Sequence, residues 1–106
     1  MNTADIREIF EAEYKSTNFM TPDVYSYGKS GNWIYEISEG TDFERMPIYG
    51  VTVLYLDPIT KKPFRTNNIS RCFQGKNALI EAKAYARGLS SRVPYTHENI
   101  RVPDAT

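Results

Sequence analysis

The chain has 106 residues, 41% apolar and 13% aromatic, which makes one folded domain large enough to bury a core without metal or disulfide support. A lone cysteine, Cys72, excludes an internal disulfide, and the absence of any run of about 18 apolar residues excludes a membrane-spanning helix. The formal net charge of zero hides a division: residues 1–59 carry four basic against ten acidic groups, a net of −6, whereas residues 60–106 carry nine against three, a net of +6. Such polarity points to a charged partner without naming it.

Residues 3–16 are expected to be helical. Asn2 or Thr3 can cap the helix, Asp5 and Glu8 suit its positive N-terminal end, and Ile6, Ile9, Phe10 and Tyr14 recur at helical spacing. Met20-Thr21-Pro22-Asp23 ends the pattern, because proline disfavours helical geometry at the residue before it. A short strand over residues 24–27 follows, with Gly28-Lys29-Ser30-Gly31 as a hairpin turn.

Trp33, Tyr35 and Ile37 alternate with Ile34, Glu36 and Ser38 along a strand over 33–38. Residues 48–56 give the strongest strand in the chain. Both of its faces are largely apolar, which marks a central position, with Gly50 read as a bulge or as a floor beneath a ring. Asp57-Pro58 and Lys61-Lys62-Pro63 bracket a turn, and a weaker strand is expected over 69–73.

A second helix is expected over 76–89, burying Leu79, Ala82, Tyr85 or Ala86, and Leu89, with Ala78 alongside. Residues 90–106 read as a C-terminal tail to a single domain of residues 1–89. The fold class is α+β: an antiparallel sheet of three or four strands with the N-terminal and C-terminal helices packed on one face. The short strands at 24–27 and 69–73 should be the sheet edges.

Catalytic chemistry finds few candidates. His97 is the only histidine and lies in the tail, while Cys72 beside Phe73 reads as a small core residue. A nucleophile–base pair would need the tail to bring His97 to Cys72. One cysteine, one histidine and scattered carboxylates match no metal-ligand spacing, and no phosphate-binding glycine motif occurs. The expectation is a non-catalytic protein with neither cofactor nor metal, in the cytoplasm, since the N-terminus lacks the basic-then-apolar pattern of a signal peptide.

Gly75-Lys76-Asn77 and the stretch Glu81 to Ala86, in a helix–strands–helix order, resemble the last helix of the double-stranded-RNA-binding domain. The chain departs from that family at Asn77 and Ala78, where the family has paired lysines, and in its acidic first helix. The runs Trp33 to Gly40, Ile48 to Val53 and Ser70 to Phe73 are also similar to small bacteriophage domains, which implies an accessory factor that binds a macromolecule.

Two binding readings follow. The first is a protein partner met through Tyr25, Tyr27, Phe43, Arg45 and Met46, as expected of an accessory regulator or inhibitor, with charge steering the encounter and aromatics supplying affinity. The alternative is RNA or DNA met through Lys61, Lys62, Arg65, Lys76, Lys83 and Arg87. The chain itself is expected to be a monomer or a weak, salt-sensitive homodimer.

Overall fold

A computed structural model describes residues 1–17, 23–64 and 70–92. The element order is α1 (Thr3–Thr17), β1 (Val24–Ser30), β2 (Trp33–Thr41), β3 (Pro47–Leu56), β4 (Pro63–Phe64), β5 (Arg71–Gln74) and α2 (Ala78–Arg87), closed by a 3₁₀ turn, Gly88–Ser91. The expected α+β class and antiparallel sheet are present. The main strands run β1-β2-β3-β5, and two-residue β4 shares the outer edge of β3 with β5. As expected, β1 and β5 lie at the edges and β2 and β3 inside.

The helices do not share a face of the sheet. Trp33, Ile37, Val51 and Val53 pack with Ala82, Ala86 and Leu89. The intervening Ile34, Leu54 and Leu56 pack with Ile6 and Phe10 of α1. Neighbours along a strand point to opposite faces, so α1 and α2 lie on opposite sides. The reason is in β2 and β3, whose two apolar faces each need a cover. This three-layer arrangement also sets the chain apart from the one-faced helix packing expected from its element order.

Local chemistry fixes the elements. Asn2 and Asp5 form a reciprocal cap, with Asp5 N–H donating to Asn2 Oδ1 at 2.9 Å and Asn2 N–H to Asp5 Oδ2 at 3.2 Å. Strand β1 runs through Ser30, so the turn is Gly31-Asn32, with Gly31 at φ 64°. The bulge falls not at Gly50, which stays in register opposite Ser38, but at Tyr25, between Val24↔Ser38 and Ser26↔Ile37. The ring that covers a glycine is Tyr35 over Gly28.

Helix α2 buries Ala78, Ala82 and Ala86, spaced four apart, while Leu79 is half-buried and Ile80 exposed. Small side chains let the helix axis approach the sheet closely. The body continues past residue 89: Ser90 N–H donates to Ser30 Oγ at 3.1 Å, and Trp33 Nε1 donates to the Arg92 carbonyl at 3.3 Å. The remainder of the expected tail, 93–106, lies outside the described residues. Among the described residues no helix is long and apolar enough to cross a membrane.

Candidate interaction surfaces

The hairpin between β2 and β3 ends in a tip, residues 42–46, held by one aspartate. Asp42 Oδ1 accepts from Glu44 N–H and Met46 N–H, both at 2.8 Å, and Gln74 Nε2 donates to its other oxygen. The Asp42 N–H donates to the Met46 carbonyl at 3.0 Å, and Arg45 N–H donates to the Asp42 carbonyl at 3.0 Å. Arg45 takes the left-handed conformation at φ 63° that this closure needs. The bond from Met46, followed by those from Gln74 and Glu44, holds the Asp42 carboxyl below the usual aspartate range.

Phe43 stands at the end of this closed loop, 108% exposed, with Met46 beside it at 38%. An aromatic ring wholly in water on a backbone fixed by hydrogen bonds is presented rather than packed. A shallow open depression lined by Asp23, Glu39, Gly40, Thr41, Pro47 and Tyr49 adjoins the tip. Tyr25, 41% exposed, meets Tyr49 edge-on at 5.7 Å between centroids.

Of the residues expected to meet a protein partner, Phe43, Arg45 and Met46 form the tip, and Tyr25 lies at the same end of the sheet through Tyr49. Tyr27 goes elsewhere. The bulge at Tyr25 turns it to the α1 face, where its ring sits 6.0 Å from Phe10. Burial, and after it the charge of Glu36, pushes its phenol up to about 12.

The basic residues divide into separate groups. Lys83 and Arg87, one helical turn apart, are exposed, and Lys83 Nζ lies 5.4 Å from the centre of the Tyr25 ring. Lys76 is exposed just before α2 begins. Lys61 and Lys62 are exposed on the β3–β4 turn, which Asp57 closes through Ile59 N–H at 2.8 Å and Thr60 N–H at 2.9 Å. Arg65 lies outside the described residues.

Two arginines that the sequence reading passed over complete the α2 face. The Arg71 guanidinium lies 5.5 Å from the Tyr85 ring centre and 5.4 Å from that of Phe73, and Arg92 lies 5.0 Å from Tyr85. Phe73 and Tyr85 are themselves 5.7 Å apart. No spacing rule joins residues 71, 85 and 92, which come from a strand, a helix and the segment after the 3₁₀ turn.

Cys72 is exposed on the edge strand, not in the core. Its register partner Gly50 turns it to the α1 face, away from α2. His97 falls outside the described residues, as does any pairing with it. Comparisons with protein-family models, curated proteins and solved structures gave no match to this chain.

Proposed function

We propose that this chain is a small non-catalytic interaction protein, an accessory regulator or inhibitor, that binds a protein partner through the β2–β3 hairpin tip. The observation that supports this reading is Phe43, wholly exposed at the end of a loop whose backbone is closed on Asp42. A large ring held in place before contact loses little entropy on binding, which favours it as an interface anchor. Met46 and Arg45 flank the ring, and Tyr25 extends the surface along the sheet end.

Affinity capture from an extract of the source cells, followed by titration of the captured protein, tests the reading. Phe43→Ala should weaken binding by tenfold or more, as loss of an anchor residue does at about 2 kcal/mol, with the thermal midpoint unchanged. Asp42→Ala should weaken it less, by loosening a loop that keeps its ring. A partner held equally well by wild type and Phe43→Ala, or repeated recovery of nucleic acid alone, overturns the proposal.

A further inference from the structure

We propose that the α2 face is a binding surface for the sugar–phosphate backbone of a nucleic acid, with Arg71 and Arg92, both held beside the Tyr85 ring, as its phosphate donors. This surface meets that of the hairpin tip at Tyr25, whose ring lies 5.4 Å from Lys83 Nζ, but its arginines lie apart from the tip residues 42–46 and do not depend on what the tip binds.

The first observation is where the charge lies. The two helices, which cover opposite faces, differ in charge. Over residues 70–92, Arg71, Lys76, Lys83, Arg87 and Arg92 stand against Glu81 alone, whereas α1 carries Asp5, Glu8, Glu11 and Glu13 against Arg7 and Lys15. Among the described residues the one ion pair is Arg7–Glu11, at 3.5 Å within α1. Among the described residues no carboxylate lies within ion-pair distance of the cations of the α2 face.

The second observation is how those cations are held. A guanidinium within about 6 Å of an aromatic ring centre is attracted to the ring face, and both Arg71 and Arg92 are exposed. Arg71 and Arg92 share Tyr85 in this way, and Lys83 uses Tyr25. Two forks anchored on one ring are suited to the paired oxygens of phosphate, which guanidinium meets with two parallel hydrogen bonds.

These rings serve to hold cations, which argues for contact with backbone rather than with stacked bases. Affinity should therefore follow charge and salt with little dependence on base sequence.

Fluorescence anisotropy with two labelled 20-base-pair DNA duplexes of unrelated sequence, using the full chain, tests the proposal. Both should bind with Kd on the order of 10⁻⁵ M at 50 mM salt, and about four phosphate contacts imply roughly a hundredfold loss by 200 mM. The double variant Arg71→Gln/Arg92→Gln should weaken binding tenfold or more with an unchanged melting curve. Tyr85→Leu should weaken it severalfold at constant charge, and Tyr85→Phe, which keeps the ring, should bind like wild type. The proposal fails if there is no binding at 50 mM salt, if the double variant binds like wild type, or if Tyr85→Leu has no effect. It also fails if polyglutamate at equal charge concentration displaces the duplex fully, which would assign the face to an acidic protein.

Discussion

The hydroxyl of Tyr14 donates a 2.5 Å hydrogen bond to Oε1 of Glu36, tying the C-terminal part of α1 to the centre of β2. Glu36 is fully buried, and its other oxygen has no hydrogen-bond partner among the described residues. Burial raises its carboxyl above the ordinary glutamate value of 4.5, against the opposing pull of the Tyr14 and Tyr27 hydroxyls. Burial is also the first cause that pushes the Tyr14 phenol upward, reinforced by its bond to Glu36.

This pair gives stability a definite pH dependence. A carboxyl whose pKa rises on folding makes the folded state the better proton binder, so its contribution is most favourable below the unfolded value. Stability should fall as pH rises from about 4.5 to the raised folded value, then level off. Glu36→Gln removes the titration and should flatten that fall. Tyr14→Phe should cost about 1–3 kcal/mol at pH values above the raised folded value, where it strips a donor from a buried charge, and less below it. Urea midpoints from pH 4 to 9 measure both effects, and a Glu36→Gln profile as steep as wild type would remove Glu36 as the cause.

Gly28 and Tyr35 provide a test of cross-strand packing. A Cβ at Gly28 would lie 2.2 Å from the Tyr35 hydroxyl oxygen and 2.3 Å from Cζ, so the ring must leave its place over the glycine. Gly28→Ala should cost roughly 1–3 kcal/mol. In the Tyr35→Leu background the same change should cost much less, because the clash is gone. Denaturant melts of the four proteins in that cycle give the coupling directly. Independent, additive costs would show that the ring moves aside freely.

Much of this fold was legible because hydrophobic alternation is a strong signal where a strand is central. Ile48 to Leu56 announced an interior strand through two apolar faces, and the same fact called for a cover on each side. Placing both helices on one face overlooked Ile34, Leu54 and Leu56. The bulge at Tyr25 left no glycine to mark it, so Tyr25 and Tyr27 were expected to meet one partner together although the structure separates them. Exposed Cys72 misled because an edge strand leaves one side open even between apolar neighbours. Glu36 gave no warning either, since alternation marks a face but does not say whether a helix will cover it. The arginines beside Tyr85 depend wholly on tertiary approach.

Helix α2 lies so close to the sheet that side-chain size there outweighs hydropathy. Ala78, Ala82 and Ala86 are all 0% exposed, and Ala82 and Ala86 pack with Trp33, Ile37, Val51 and Val53, while the larger Ile80 points to water. An interior packed to crystal-like density has no room for an added isopropyl group without displacing the helix. Ala82→Leu, a gain in hydrophobicity, should therefore destabilise by about 1–3 kcal/mol. Ile80→Lys, a large loss of hydrophobicity, should stay within about 0.5 kcal/mol of wild type. Thermal unfolding separates them readily, since each kcal/mol moves the midpoint by roughly 4–8 °C in a domain of this size. A neutral Ala82→Leu would mean that the helix rides higher over β3 than the alanine contact requires, and a costly Ile80→Lys would mean that its outer face is covered.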